Sequence, residues 1–394
     1  MKTYFPALTG IRAVAAFLVF FFHFNPFLWK GHPASSDLTQ LLGAIIGQGG
    51  MGVSIFFVLS GFLIATRYMD RIEPSAAWAK QYMLNRFARI YPIYFLLTLV
   101  AFGAMFLGHL NTWYTWSSQT SAVDKVVSIA ANLTLTRAFF HTFSELGMPT
   151  AWSLTVEECF YISAPFLLLL LRKRVSLLPL AALALLAMGA VSSLIATRLH
   201  LYGNFMQPLS FVLSHTYFGR CGEFLAGIGL AFWLQQRGNA PARRGTTLLG
   251  AGLIAVCLVA MVVSSWNYQP SEAWPTPLLN NLINNFLLPA GVVVLFHGLI
   301  HERTWFQQLL ETKIFDLLGK SSYAFYLIHL GLFSDLLENI IGRNVLGLFL
   351  IFNIAAILLY KLVEHPLHTR IVAAYKRKTT AKAQLMPEKQ AAKV

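Results

Sequence analysis

Phe5-Pro6-Ala7-Leu8-Thr9-Gly10-Ile11-Arg12 opens an apolar run that passes His23 and ends near Trp29. From Ile11 to Trp29 the run is long enough to cross a bilayer, at about 1.5 Å of rise per residue. It carries an arginine near its start and a histidine near its end. Ionisable side chains at membrane depth cost roughly 2.5–3.5 kcal/mol on insertion scales, so they face a protein interior or a wet cavity. Eleven helical steps of about 100° return His23 to within about 20° of the Arg12 face, about 16 Å further along the axis. One polar stripe on an otherwise apolar helix is predicted. The plain alternative is a snorkelling arginine beside a satisfied interior histidine; the shared face weighs against it.

The rest of the chain repeats the apolar theme. Of 394 residues, 56% are hydrophobic and only 12% charged, and the mean hydropathy is +0.59. That is the composition of a polytopic helical membrane protein. Runs of spanning length recur near 11–29, 43–65, 90–108, 154–171, 176–196, 217–234, 246–264, 282–300, 322–340 and 345–363. The fold class read from them is an all-α transmembrane helical bundle of about ten spans. The sixth run contains Arg220 and Glu223, and the eighth contains Pro289. The first run lacks the features of a removable signal peptide, and Cys159, Cys221 and Cys257 sit in or beside apolar runs as packed thiols.

Placed on alternating sides of these spans, twenty-three of the 30 Lys and Arg fall on one side and six on the other, with Arg12 left inside. The positive-inside rule then puts both termini in the cytoplasm. The formal charge of +14 is thus a topology signal, not a nucleic-acid face. Residues 1–366 form one membrane-embedded unit, followed by a basic Ala/Lys-rich cytoplasmic tail over 367–394, disordered or lying on the membrane. The longest outer connection, from about His109 to Ala151, offers Trp113, Tyr114 and Trp116 to an interfacial belt, a helical stretch within Val126–Phe140, and a glycosylation-like Asn132-Leu133-Thr134. The outer loop Trp266–Asn281, rich in Pro, Asn and Trp, reads as an ordinary capped loop, with the edge of an acceptor site as the alternative.

Chemistry-bearing residues cluster by depth. His23 lies in the outer half of the first span, about 9 Å below Trp29. The fourth span runs the opposite way and begins Trp152-Ser153-Leu154-Thr155-Val156-Glu157-Glu158, which brings Glu157 to nearly the same depth. A carboxylate beside an imidazole fixes its tautomer and stabilises the imidazolium, as deprotonation of a hydroxyl requires. Near the cytoplasmic side, Arg86 and Arg89 stand at i,i+3 on one helical face, a spacing suited to forking around phosphates. Their plain alternative is a positive-inside flank. With Arg12 they form a graded attraction for an anionic donor. His329, about 12 Å into the ninth span, belongs to the same polar interior, and Glu223 near Arg220 reads as an internal ion pair. No GxSxG elbow, Walker A loop, GxGxxG or HExxH occurs, and the scattered histidines predict no metal site.

At these residues the sequence resembles the acyltransferase family 3 group of bacterial integral-membrane acyltransferases, from Phe5 to about Pro366. The markers are Pro6-Ala7-Leu8-Thr9-Gly10-Ile11-Arg12, the ten residues between Arg12 and His23, and Gly52-Val53-Ser54-Ile55-Phe56-Phe57-Val58-Leu59-Ser60-Gly61-Phe62. Others are Arg86-x-x-Arg89 with Tyr91-Pro92, Trp152-Ser153-Leu154 with Glu157 and Phe160-Tyr161, Tyr323 to His329, and Glu364-His365-Pro366. The resemblance implies transfer of an acyl group, commonly acetyl from acetyl-CoA, to a hydroxyl of a surface polysaccharide, lipopolysaccharide or lipid-linked glycan at the bacterial inner membrane. It implies His23 as the catalytic histidine, Arg86 and Arg89 on the donor side, and Arg12 as their partner. On this expectation Glu157 orients His23, the pantetheine arm of acyl-CoA bridges the roughly 16 Å from Arg12 to His23, and Ser153, Tyr161, Glu223, Tyr323 and His329 complete the polar interior. A covalent acyl-enzyme relayed by His329, Tyr323 or Ser153 is an open variant. Some family members carry an added extracytoplasmic esterase-like domain; here any such partner is expected to be a separate protein. The competing readings are a small-molecule acceptor such as a macrolide, a proton-coupled transporter, and a scaffold of a polysaccharide-assembly complex.

Overall fold

The computed structural model describes residues 4–27, 36–108, 113–237, 243–268, 276–375 and 377. Trp29, Lys30, loop residues 269–275 and the tail from 378 lie outside them. Among the described residues, sixteen α-helices succeed one another. The first five are α1 (Pro6–His23), α2 (Asp37–Ile46), α3 (Met51–Tyr68), α4 (Ala76–Phe106) and α5 (Ala122–Leu133). Then come α6 (Trp152–Lys173), α7 (Leu178–Leu199), α8 (Leu209–His215), α9 (Tyr217–Arg237) and α10 (Thr246–Ser265). The last six are α11 (Leu278–Leu282), α12 (Leu288–His301), α13 (Trp305–Leu310), α14 (Lys313–Ile328), α15 (Leu332–Ile341) and α16 (Val345–Leu359). Among the described residues there is no strand, only an isolated bridge between Phe140 and Phe205.

Among the described residues, eight helical stretches are long and apolar enough to cross a membrane, and nine if a bent pair counts as one span. The expected ten differ for two physical reasons. The sixth run does form α9, 21 residues long, but Arg220, Glu223 and four glycines lower its apolarity. The ninth is broken: α14 and α15 meet at 89°, with the break at His329-Leu330-Gly331 and Gly331 at φ 95°. The first span also begins earlier than expected, because Pro6 starts the helix where no N–H partner is needed. Consequently His23 is the last residue of α1 rather than a mid-helix position.

α9 lies against α3 through two glycines that face each other's backbone. A Cβ on Gly61 would come within 2.1 Å of the Phe224 carbonyl oxygen, and one on Gly227 within 2.0 Å of that of Val58. Such close approach, rather than water exclusion, is what holds helices together in lipid. The same device joins α1 to α14, where a Cβ on Gly319 would sit 1.9 Å from the Thr9 carbonyl oxygen. Behind His23, Phe20 packs on Phe24, Phe325, Phe349 and Phe352, fixing the outer end of α1.

Two further features shape the outer side. A π-helical turn over Ile283–Leu287 lets Asn285 donate to the carbonyls of Leu213 (2.8 Å) and Gly219 (3.1 Å). Arg137, fully buried, donates to Ser144 O, Asn132 Oδ1 and Leu146 O at 2.7–2.8 Å and closes the loop between α5 and α6. Asn132 is therefore buried and spent on Arg137 and on Ser128 O. The glycosylation-like triplet is thus a structural clamp, not an exposed acceptor. The three cysteines are free thiols.

Candidate active site

Arg12 from α1 converges with Arg86 and Arg89 from α4. All three stand in the walls of three neighbouring cavities of about 80, 430 and 510 Å³. The two larger of these cavities add Arg67 from α3, and the largest of the three adds Lys320 and Glu364. None of the three central arginines closes an ion pair. Among the described residues the pairs are Arg220–Glu223, Lys320–Asp316 and Arg343–Glu338. The Arg86 guanidinium lies over the Tyr68 and Tyr161 rings at 5.8 and 5.7 Å. Its Nε is buried without a hydrogen-bond partner. Buried cations and donors left unmatched cost several kcal/mol by order of magnitude, so an anion is the natural complement of this basin.

The smallest cavity leads inward along Ser60, Glu157, Tyr161 and Tyr323. Here the structure corrects an expectation. Glu157 does not hydrogen-bond His23; its Oε1 accepts from Ser60 Oγ at 3.0 Å and from the Tyr161 hydroxyl. Tyr323 is tied to the Ile90 carbonyl at 2.9 Å. Ser153 Oγ and the Tyr326 hydroxyl share a 2.9 Å hydrogen bond, and both reach the Thr150 carbonyl.

His23 finds its partner elsewhere. Its Nδ1 lies 3.1 Å from Nε2 of His329, whose own Nδ1 is 2.9 Å from the Tyr326 carbonyl oxygen. A carbonyl only accepts, so His329 Nδ1 carries the proton and its Nε2 is the acceptor. His23 Nδ1 then donates, and His23 Nε2 keeps a free lone pair. His329 is fully buried, whereas His23 is exposed. The break between α14 and α15 places His329 at the helix cap, facing the end of α1.

His23 opens on an outer cavity of about 330 Å³ that also takes Gln48, Trp113, Trp152, Glu145, Arg220 and Asn281 into its wall. Val53 and Tyr326 belong both to this cavity and to the smallest inner one, so the two meet at that layer. Arg220 pairs with Glu223 at 2.7 Å and donates to Ser54 Oγ at 3.2 Å. Glu223 is thus the internal ion pair read from the sequence, and it braces the outer cavity rather than the arginine basin. Burial pushes the Glu145 carboxyl up, and Arg137 opposes the shift. Asn281 Nδ2 is buried with no protein acceptor. Among the described residues no group of His, Cys, Asp and Glu is arranged to hold a metal.

Ser60 joins the site without having been singled out from the sequence, although a signal for it exists. It shares a helical face with Val53, Phe56 and Leu63, all lining the smallest cavity: one hydroxyl on an otherwise apolar stripe. Arg67, Lys320 and Asn281 carry no comparable signal, because each joins the site through tertiary packing alone.

A bundle of membrane-length helices with a cationic basin and a hydrogen-bonded histidine pair beyond it defines a multi-pass membrane protein built around a polar interior. Residues 5–363 match the family model described as an acyltransferase domain, and the chain belongs to that family. It is similar to the peptidoglycan O-acetyltransferase OatA of Listeria monocytogenes, 26% identical over 93% of this chain and 56% of that protein. It is also similar to YrhL of Bacillus subtilis, a protein named as a candidate peptidoglycan O-acetyltransferase, 24% identical over 95% of this chain and 56% of the other. The chain spans about half the length of these curated relatives. No solved structure matches it.

Proposed function

We propose that this chain is an O-acyltransferase that moves an acyl group, acetyl in the first instance, from acyl-CoA to a hydroxyl of a cell-surface glycan. Family membership and the names of the relatives support the activity and the glycan class; peptidoglycan is the acceptor their names suggest. The donor assignment rests on the unpaired arginines. Arg12, Arg86 and Arg89 would hold the phosphates of CoA from the cytoplasmic side of the inner membrane, with both termini on that side. The pantetheine arm would extend past Glu157 and Tyr161 toward Tyr326.

The single observation that carries the mechanism is the histidine pair. With its Nδ1 proton committed to His329, His23 offers Nε2 to an acceptor hydroxyl in the outer cavity. Nε2 takes the hydroxyl proton as the oxygen attacks the thioester carbonyl. The C–S bond then breaks, and the imidazolium returns the proton to the leaving thiolate. Glu157 acts on the donor side, holding Tyr161 and Ser60 around the arm, rather than on the imidazole. The acceptor sugar would lie between Trp113 and Trp152, within reach of the amides of Gln48 and Asn281.

His23→Ala tests this reading. In membranes carrying the full chain, transfer of labelled acetyl from acetyl-CoA to glycan should fall by about 10²–10⁴-fold while expression and membrane insertion are unchanged. Full activity in that variant would refute the assignment.

A further inference from the structure

Away from the histidine and arginine cavities, α9 and α12, with Arg243 and Thr246 at the start of α10, line an open trench of about 680 Å³ that the proposed reaction does not use. Small and apolar side chains make up much of its wall, with Gly229 and Ala290 on the two facing helices leaving room for a slot between them. Basic and aromatic groups stand along it. Arg237 lies 4.8 Å over the Trp233 ring, His297 packs edge-on to that ring, and Arg243 lines the same trench. No carboxylate lines the trench, and neither arginine belongs to an ion pair among the described residues. Glu302 stands at the trench's edge, where it accepts from the backbone N–H of the lining residue Thr246 and from that of Thr247, each at 2.7 Å, and forms no ion pair with either arginine.

We propose that this trench binds an anionic glycerophospholipid, with its phosphate between Arg237 and Arg243 and one acyl chain in the Gly229–Ala290 slot. Charge complementarity selects the headgroup: two guanidiniums in no ion pair among the described residues, beside an indole suited to the membrane interface. The shape selects the chain, because an apolar slot between helices suits an extended hydrocarbon better than a compact anion. The arginines flank the loop between α9 and α10, on the side given to the cytoplasm by the excess of Lys and Arg, where anionic lipids attract basic residues.

The test is native mass spectrometry of the full chain in detergent, with phosphatidylglycerol or phosphatidylcholine added at equal concentration. Phosphatidylglycerol adducts should survive in preference by about fivefold for each arginine. Arg237→Gln with Arg243→Gln should reduce them to the phosphatidylcholine level, and Ala290→Trp should remove both. Millimolar inorganic phosphate should leave the lipid adduct in place; displacement by phosphate would reassign the arginines to a free anion and overturn the lipid assignment. Equal retention of the two lipids, or an unchanged preference in the double variant, would also overturn it. Acetyl transfer is read out separately, so the outcome is distinguishable from any failure of the proposed reaction.

Discussion

His329 matters because of what its two nitrogens leave to His23. Held by the Tyr326 carbonyl on one side, it presents a bare Nε2 on the other and so fixes which nitrogen of His23 is free. His329→Phe keeps the ring volume but removes that acceptor, and kcat should fall about tenfold or more with KM for acyl-CoA unchanged. His329→Gln, which restores an acceptor, should recover part of the loss. A parallel fall in folded protein by size-exclusion chromatography would instead mark His329 as a packing residue. Glu302 shows the same logic at a helix start. Burial raises its carboxyl, but hydrogen bonds from Thr247 and Thr246 outweigh that and hold it below the usual carboxylate range. A depressed folded pKa means the cap contributes stability above the unfolded value, about 4.3, and loses it as pH falls through the folded value. Thermal unfolding from pH 7 down to pH 3 should therefore show an acid-dependent loss that Glu302→Gln makes smaller, the rest coming from carboxylates such as Asp316 that are held low in the same way.

At the scale of single helices, α4 would supply the donor side of the proposed reaction. Arg86 and Arg89 share one face, and the unbonded Arg86 Nε gives that face a donor without an acceptor. Replacing either arginine by Gln should raise KM for acyl-CoA by about tenfold and change kcat much less, measured in initial-rate assays with acceptor saturating. A scaffold reading predicts no change. The Arg86–Arg89 pair was legible because helical spacing alone sets an i,i+3 pair; Arg12 was placed near it only by depth and by the family resemblance. The partner of His23 was not legible. Opposite-running helices at equal depth put Glu157 level with His23, but depth says nothing about azimuth, and Glu157 turns toward Ser60. His329 reached the ring because α14 breaks at Gly331, a backbone event that hydropathy smooths over. Hydropathy likewise could not show that α9, with its charged pair and glycines, is packed inside against α3.

Across the whole molecule, two compartments stand in series. The inner one is cationic, the outer one is aromatic and amide-lined, and they meet at Val53 and Tyr326. The helical, membrane-length character was readable from composition, and the eight or nine candidate spans keep that reading while revising the count. Two compartments in series impose a sidedness on the reaction. Full-length protein reconstituted in oriented vesicles, with labelled acetyl-CoA confined to one side and glycan acceptor to the other, tests it most directly. Label should reach the acceptor only when acetyl-CoA is on the arginine side and the glycan on the His23 side. Equal transfer with both substrates confined to the His23 side would contradict the account.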